Sequence, residues 1–136
     1  MARRYLLDTN ICIYVRRRRP PEVRARFSRL GASEAAISVI TYGELMYGAD
    51  KLHPVPPRAA EQIQEFLDLI EVLPLPVEAG RTYGKIRTYL ESKGQVIGNN
   101  DLWIAAHAVS ADLIVVTNNE RGFRRVPDLK IENWAK

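Results

Sequence analysis

The segment RYLLDTNIC, residues 4–12, joins two kinds of secondary structure with almost no loop between them. The apolar run before Asp8 predicts a buried strand over 3–7. Polar residues interrupt this run from Asp8 onward, and apolar residues at helical spacing resume at Ile11, which predicts a helix over 10–18. A strand that passes directly into a helix is typical of α/β proteins.

The same alternation continues to the end of the chain. Short apolar runs predict four further strands, at 34–38, 71–75, 112–117 and 129–132. Helical spacing predicts one helix that carries Val23, Phe27 and Leu30, and others over 39–51, 60–70, 79–94 and 100–110. Strands that alternate with helices form a parallel sheet with right-handed crossovers and helices on both faces. The predicted fold class is therefore α/β.

The composition is that of one globular domain. The chain has 136 residues, 46% hydrophobic and 26% charged, and we expect a single domain over 1–136. The formal net charge of +4 favours polyanionic partners only weakly. A single cysteine, Cys12, excludes an internal disulfide and a cysteine-based zinc cluster, and it fits a reducing cytoplasm. No run approaches the ~20 apolar residues of a membrane span, so we expect no membrane partner.

Two aspartates have mainly apolar neighbours. Asp8 follows the first predicted strand, and ligands of parallel sheets bind beyond the carboxyl ends of the strands. Asp101 lies in GNNDLWIAAHAVSA, a predicted helix that is apolar nearly all round and is therefore expected to be buried. Each has an ordinary alternative role. Asp8 is a good helix cap, and the helix dipole favours Asp101 in a first turn that Asn99 or Asn100 would cap.

A third carboxylate, Glu44, lies in ISVITYGELMYGA. Helical spacing puts Ile40, Tyr47 and Gly48 on its side, which does not resemble a solvated charged face. Pairing of Glu44 with a lysine or arginine is the ordinary alternative. Tyr42 and Tyr47 flank Glu44, and their roles stay open between packing and stacking on a base.

Together the three carboxylates predict a cation site. The predicted topology brings Asp8, Glu44 and Asp101 to one end of the sheet. Carboxylates that lie close together repel, and they are stable only with a bound cation or with shared protons. Oxygen ligands without a Cys/His set suit Mg²⁺, with Mn²⁺ as a substitute, rather than zinc.

Further polar groups follow the predicted strands. Candidates that support the site by orienting carboxylates or water are Thr9, Asn10, Thr117, Asn118 and Asn119. Glu120 is the candidate for a fourth acid. Ordinary turn and cap chemistry is the alternative for each of the supporting residues.

The chain resembles the PIN-domain endoribonucleases, and most closely the VapC toxins of VapBC toxin–antitoxin pairs. Five segments carry the resemblance in the family's order and spacing, and they span essentially the whole chain: LLDTNICIY, ISVITYGELMYGA, IGNNDLWIAAHA, VTNNERGFRRVPDL and IENW. An Asp-Thr-Asn tripeptide alone would be weak evidence, whereas five segments in register are specific.

The resemblance implies a three-layer α/β/α fold with a parallel sheet of about five strands. It implies that Asp8, Glu44 and Asp101 are the acids of a Mg²⁺ site that cleaves single-stranded RNA or RNA loops with metal-activated water. It also implies a homodimer and a cognate VapB-like antitoxin whose C-terminal segment covers the active-site groove. For an RNA substrate, the arginine-rich segments suggest Arg16, Arg121 and Arg124 as phosphate contacts.

One position departs from the family pattern. The family commonly places an acid directly before the phenylalanine of the fourth segment, and here Gly122 precedes Phe123. Glu120 is the predicted substitute as a catalytic acid, and neutral ligands from Asn118 or Asn119 are the alternative. A second hypothesis therefore stays open: a PIN-fold module that binds RNA or antitoxin through a weakened metal site.

Two other enzyme classes fit less well. A metal-independent nuclease usually needs two histidines. The chain has His53, in the proline-rich connector HPVPP, and His107, whose neighbour at i−4 is Trp103 and which is typical of a packed helix residue. A phosphatase of the haloacid-dehalogenase type requires Asp-x-Asp-x-Thr after the first strand, and the second acid is missing.

Overall fold

The computed structural model describes residues 3–31, 33–52, 54 and 56–136, and His53 lies outside them. Its strands are β1 (Tyr5–Leu7), β2 (Ala35–Ser38), β3 (Glu71–Leu73), β4 (Ile114–Val116) and β5 (Ile131–Glu132). Its helices are α1 (Thr9–Arg17), α2 (Pro21–Ser28), α3 (Val39–Asp50), α4 (Pro57–Leu69), α5 (Val77–Ser92), α6 (Asn99–Ala111) and α7 (Glu120–Phe123). Among the described residues, no helix combines the length and hydropathy that crossing a bilayer requires.

The five strands form one parallel sheet in the order β3-β2-β1-β4-β5. In this sheet β1 is the central strand, and Leu6 pairs with Ala36 on one side and with Val115 on the other. The chain adds β2 and β3 on one side of β1, and then β4 and β5 on the other. The switch point of this topology, where ligands of open α/β sheets bind, therefore lies between the carboxyl ends of β1 and β4.

The two faces of the sheet carry separate cores, which produces the predicted three layers. Consecutive side chains of β1 point to opposite faces, as in any strand. Leu7 packs with Ile11 and Phe66 under the first helices, and Leu6 packs on the other face with Ile104 of α6 and other residues of α5 and α6. Both leucines are completely buried. The α/β/α arrangement with a five-stranded parallel sheet is confirmed.

The boundaries of several elements differ from the predictions. The strand predicted over 71–75 ends at Leu73, because Pro74 has no N–H for the ladder. The predicted strands over 112–117 and 129–132 are reduced to three and two residues. The structure also contains α7, which no apolar spacing in the sequence predicted. It has four residues, and Asn119 caps it by accepting a hydrogen bond from the Gly122 backbone at 3.3 Å.

The prediction that Asn99 or Asn100 caps α6 is wrong. The N-cap is Gly98, without a side-chain cap, and both asparagines lie in the first turn. The side chain of Asn99 instead accepts a hydrogen bond from the Tyr83 hydroxyl. The Asn100 side chain points to Glu44 on a different helix. Tertiary partners have drawn both amides away from the helix terminus.

Ser38, the last residue of β2 and the N-cap of α3, contacts His107 of α6. The Ser38 hydroxyl accepts a hydrogen bond from the Ile40 backbone at 3.2 Å and so caps α3. The Nδ1 atom of His107 lies 2.9 Å from the same hydroxyl oxygen, and both side chains are buried. Burial lowers the pKa of His107 below its usual value. His107 is therefore a packed neutral residue, as its position in the helix predicted.

Replacing Trp134 should destabilise the fold strongly. Its side chain is 1% exposed and meets the Tyr5 ring edge-on, with 5.3 Å between ring centroids. We expect Trp134→Ala to lower the free energy of unfolding by about 3–5 kcal/mol, because the cavity left at the end of β5 cannot fill. Urea denaturation followed by circular dichroism measures this. Val77→Ala is the control, since Val77 is 91% exposed and its loss should leave the unfolding midpoint unchanged. Equal midpoints for the two variants would contradict the prediction.

Candidate active site

Asp8 lies directly after β1 and is 4% exposed. Its Oδ1 atom accepts a hydrogen bond from the Ile11 backbone at 3.0 Å, which makes Asp8 the N-cap of α1. Its Oδ2 atom accepts a hydrogen bond from the Thr117 hydroxyl, which follows β4. Asp8 is thus both a helix cap and an acid at the switch point of the sheet.

Glu44 approaches the same place from α3. Its Oε1 atom accepts a hydrogen bond from the Thr9 hydroxyl, and its Oε2 atom accepts one from the Asn100 amide at 3.4 Å. Both donors are neutral. Among the described residues Glu44 forms no ion pair with lysine or arginine, so the ordinary pairing considered for it does not occur there.

Asp101 reaches the site from the first turn of α6. Because α6 leads into β4 and runs antiparallel to it, this turn lies at the carboxyl end of the sheet. The Oδ2 atom of Asp101 accepts a long hydrogen bond, 3.5 Å, from the Asn119 amide. The helix dipole favours a negative charge at this position.

Burial and mutual repulsion raise the pKa of two of these acids. Burial is the main cause for Asp8, whose pKa rises from 3.8 to about 6. Hydrogen bonds from Thr117 and Ile11 oppose the rise, and the charges of Asp101 and Glu44 add to it. The pKa of Asp101 is also raised, first by burial and then by the charge of Glu44. The three carboxylates therefore lie close enough to repel one another.

The donor chemistry of this cluster fits Mg²⁺. All three acids offer oxygen atoms, and the groups around them are neutral hydroxyls and amides. In the part of the chain that the structure describes, no three His, Cys, Asp or Glu side chains are close enough to enclose a metal ion. Mg²⁺ rarely needs such a cage, because it usually keeps several waters and takes one or two carboxylates. Structural zinc would require a closed set of ligands.

Glu120, the candidate fourth acid, has different partners. Its carboxylate forms ion pairs with Arg124 at 2.7 Å and Lys136 at 2.6 Å, and it accepts a hydrogen bond from Asn133 at 2.9 Å. Lys136 and Asn133 lower its pKa from 4.5 to about 2. These contacts connect α7 to the C-terminal residues. The assignment of Glu120 to catalysis stays a prediction, and its contacts favour a structural role.

The space beside Gly122 is filled by Asn119. A Cβ atom at position 122 would lie 2.9 Å from the Asn119 Nδ2 atom, closer than real Cβ contacts. The Asn119 side chain accepts from the Gly122 backbone and donates to Asp101. A larger residue at 122 would therefore push away the Asn119 amide that contacts Asp101. The observed orientation of the Asn119 side chain therefore requires glycine at position 122.

The remaining candidates are more scattered. Thr9 and Thr117 each donate to a carboxylate of the cluster. Asn10 is exposed, and Asn118 donates to the Tyr14 hydroxyl at 3.2 Å rather than to an acid. Their roles as supporting residues stay predictions.

The arginine candidates also differ in position. Arg16 is half-buried, in a cleft between α1 and α4 that Glu61 and Glu65 also line. Arg121 is exposed, and Arg124 is paired with Glu120. RNA binding by Arg16, Arg121 or Arg124 stays a prediction.

Asn100 is a member of the site that the sequence pattern did not reveal. Its position predicts a helix cap, whereas its amide donates to Glu44 across 56 residues of sequence. The only signal was the pair of asparagines directly before Asp101 in the predicted helix start. Local preference for capping and a tertiary contact with a carboxylate both favour asparagine there, so the sequence could not separate them.

Comparison with known proteins identifies the family. Residues 5–129 match the PIN domain. The chain is 44% identical to Ribonuclease VapC2 of Haemophilus influenzae over 132 residues, covering 97% of this chain and 98% of that protein. It is 42% identical to the tRNA(fMet)-specific endonuclease VapC of Salmonella typhimurium over 132 residues, which again cover 97% of this chain and 98% of that protein. The chain therefore belongs to the PIN-domain family, within its group of VapC ribonucleases.

Solved structures agree with this assignment. The chain superimposes with a TM-score of 0.89 and 41% identity on the crystal structure of DNA-bound VapBC from Salmonella typhimurium, covering 98% of this chain and 99% of that one. It superimposes on VapBC2 from Rickettsia felis, bound to a promoter DNA fragment, with a TM-score of 0.86 and 38% identity, covering 96% and 98%. The family, its fold and its nuclease class, predicted from the five segments, are confirmed.

Removing the charge of Asp8 should stabilise the metal-free protein. The raised pKa means that the folded state binds this proton more tightly than the unfolded state does, so ionised Asp8 costs stability. This cost is absent below about pH 3.8 and complete above about pH 6. We expect Asp8→Asn to raise the free energy of unfolding in EDTA at pH 8 by roughly 1–3 kcal/mol.

Urea denaturation at pH 8 and pH 4 measures this effect, and the gain should shrink at the lower pH. Excess Mg²⁺ should stabilise the wild type and not the variant. A variant that is less stable than the wild type at pH 8 would show that the hydrogen bonds of Asp8 outweigh its electrostatic cost.

Glu120→Gln should leave the acid cluster intact. We expect its affinity for Mn²⁺ to equal that of the wild type, because Glu120 is directed to Lys136 and Arg124. Stability should fall slightly at neutral pH. The lowered pKa gives a contribution that is present above about pH 4.5 and lost as the pH falls toward 2. Calorimetric Mn²⁺ titration and urea denaturation measure the two effects. Loss of Mn²⁺ binding would instead assign Glu120 to the metal site.

Proposed function

We propose that this protein is a Mg²⁺-dependent endoribonuclease that acts as the toxin of a toxin–antitoxin pair. The observation that carries the proposal is the cluster of three carboxylates from three separate elements. The pKa values of two of these carboxylates, Asp8 and Asp101, are raised. Membership of the VapC ribonucleases supports RNA as the substrate. Mn²⁺ is expected to replace Mg²⁺, since both prefer oxygen ligands.

One or two of the carboxylates of Asp8, Glu44 and Asp101 would bind the cation directly, and the others would act on it through its bound waters. When bound, Mg²⁺ supplies a Lewis acid that neutralises phosphate charge and makes hydroxide available near neutral pH. The hydroxyls of Thr117 and Thr9 fix Asp8 and Glu44 by hydrogen bonds. The amide of Asn100 restrains Oε2 of Glu44, and the amide of Asn119 restrains Oδ2 of Asp101.

These hydrogen bonds explain how the acids stay oriented although they repel one another. Each donor is neutral, so none of them cancels the negative charge that attracts the cation. Burial of Asp8 keeps one carboxylate fixed in a low-dielectric position. Because water rather than the 2′-hydroxyl attacks the phosphorus in this mechanism, the products carry 5′-phosphate and 3′-hydroxyl ends.

Relatives suggest the substrate and the partners. The VapC of Salmonella typhimurium is named a tRNA(fMet)-specific endonuclease, so initiator tRNA is the first substrate to test for this chain. Several solved relatives are VapBC complexes, which supports a VapB-like antitoxin as the protein partner. We further propose a homodimer located in the cytoplasm.

Cleavage should depend on the metal and on Asp101. We expect purified protein to cut initiator tRNA, or a panel of structured and single-stranded RNAs, with Mg²⁺ and not with EDTA. Asp101→Asn should lower the rate about a hundredfold or more, as removal of a transition-state group does. Gel electrophoresis measures the rate, and end-group analysis should find 5′-phosphates.

The matched control for this experiment is Asp112→Asn. Asp112 lies at the opposite end of α6, its side chain is 89% exposed, and asparagine tolerates its left-handed backbone. The control should cut like the wild type. Products with 2′,3′-cyclic phosphates, or equal cutting by Asp101→Asn, would overturn the mechanism.

The alternative is a PIN-fold module that binds RNA or antitoxin through a weakened metal site. The observation that favours it is Gly122, at a position where the family commonly has an acid. Here the side chain of Asn119 fills the space beside the glycine, and a neutral amide contacts Asp101. Such a module would bind RNA without cutting it. Mn²⁺ binding by the wild type, lost in Asp101→Asn, together with cleavage would exclude this alternative.

A further inference from the structure

One face of α3 forms an open groove next to the acids, and the cleavage chemistry described above uses only the part of it that holds Thr9, Glu44 and Asn100. The groove has a volume of about 640 Å³, and Glu44 and Asn100 line it together with Tyr47 and Lys51. The groove is thus continuous with the acid cluster. Its wall is a row of residues four apart, which runs from Val39 through Gly43 and Tyr47 on α3 to Lys51, the C-cap of this helix.

Tyr47 places an exposed aromatic ring in this groove. It is 66% exposed, although an aromatic side chain of this size usually buries most of its surface. The ammonium of Lys51 lies 5.1 Å from the centroid of its ring. Tyr42, the other tyrosine beside Glu44, packs against the core instead. The two tyrosines therefore have different roles, and only Tyr47 presents its ring to solvent.

Two glycines leave the helix surface beside this ring uncovered. A Cβ atom at Gly43 or Gly48 would meet no other atom within 4 Å. The glycines are therefore not required by a neighbouring element, and they cost helix stability. They let a flat ligand approach the backbone of α3 next to the Tyr47 ring.

We propose that Tyr47 is a stacking platform for an unpaired nucleobase of the RNA substrate, in the nucleotide beside the phosphate held at the acids. This inference rests on the proposed function. Tyr47 and Glu44 are three residues apart on one helix, so their Cβ atoms are roughly 5–6 Å apart. A base stacked on Tyr47 therefore belongs to a nucleotide close to the reacting phosphate. Lys51 adds a positive charge that suits the RNA backbone.

The shape of the groove favours a nucleobase over a protein helix. A helix that docks by its apolar face needs a continuous row of apolar anchors. Here Gly43 interrupts the row between Val39 and Tyr47, and the charges of Glu44 and Lys51 border the ring. A flat base fits a single aromatic surface with a gap beside it, and stacking tolerates any base. The platform would select RNA in which a base near the cut bond is unpaired.

The test compares two strands that differ only in their bases. One is the fluorescently labelled oligoribonucleotide rA10, and the other is a ten-residue abasic ribose-phosphate strand of equal charge. Binding is measured by fluorescence anisotropy with Ca²⁺, which takes oxygen ligands as Mg²⁺ does, and gel electrophoresis of the same samples checks that the strands remain uncut. We expect Tyr47→Ala to weaken rA10 binding about 5- to 150-fold, the range for loss of base–aromatic stacking. Binding of the abasic strand should not change, and Tyr47→Phe should bind rA10 like the wild type.

Tyr89 provides a matched control on α5. It is 43% exposed, and the ammonium of Lys93, four residues later, lies 5.7 Å from its ring centroid. Tyr89 thus repeats the exposed ring and its lysine, outside the groove. Tyr89→Ala should leave the binding of both strands unchanged. An equal loss of rA10 binding in Tyr89→Ala would overturn the proposal.

Other outcomes would also overturn it. If Tyr47→Ala binds rA10 like the wild type, the ring does not stack on bases, although RNA cleavage can still stand. If Tyr47→Ala weakens both strands equally, its contribution does not involve a base. If it leaves rA10 binding unchanged but dissociates a dimer in sedimentation, the groove belongs to a second copy of the chain. Failure of the wild type to bind either strand would overturn the proposed RNA substrate together with this inference.

A second measurement locates the nucleotide. In an RNA that the protein cuts, single bases are removed one at a time, and cleavage by the wild type and by Tyr47→Ala is compared. We expect the two losses to be non-additive at one nucleotide next to the cut bond, because the base and the ring act as one contact. Additive losses at every position would contradict a stacking contact.

Discussion

The structure depends on a carboxylate buried where the carboxyl ends of β1 and β4 meet. Asp8 accepts from the first turn of α1 with one oxygen and from Thr117, after β4, with the other. It therefore fixes where the first helix begins and how the ends of β1 and β4 meet. The same burial raises its pKa, so ionised Asp8 opposes folding. Functional sites often contain groups that cost stability in this way.

The acids of the protein separate into two electrostatic groups. Asp8 and Asp101 have raised pKa values because they are buried close to other carboxylates. Glu120 has a lowered pKa because Lys136 and Asn133 hold its carboxylate. The first group has no cationic partner among the described residues, whereas Glu120 is paired with Lys136 and Arg124. Proximity of Glu120 in sequence to the family's missing acid thus does not give it the same environment.

The helix α3 contributes to the site along one side only. Glu44 faces the other acids, and its neighbours at helical spacing, including Tyr47 and Gly48, form the adjoining groove. The sequence placed these residues on one side of the helix, and they lie there. Small residues at 43 and 48 leave room for a ligand beside Glu44. Chemistry and recognition can therefore share one rigid element, which favours precise placement of the substrate.

The sequence by itself determined the alternation of strands and helices, the three acids and their family, because these depend on periodicity and on residues that are unusual in apolar surroundings. It also placed His107 in the core. Only the tertiary structure decided which side chains contact the acids. The local sequence predicts Asn100 as a helix cap, but in the structure its amide donates to Glu44 instead. The proximity of Glu120 to Phe123 in sequence predicts a catalytic acid, but in the structure its carboxylate forms ion pairs with Lys136 and Arg124. Hydrogen bonds and ion pairs between residues far apart in the chain leave no periodic pattern, so local sequence cannot predict them.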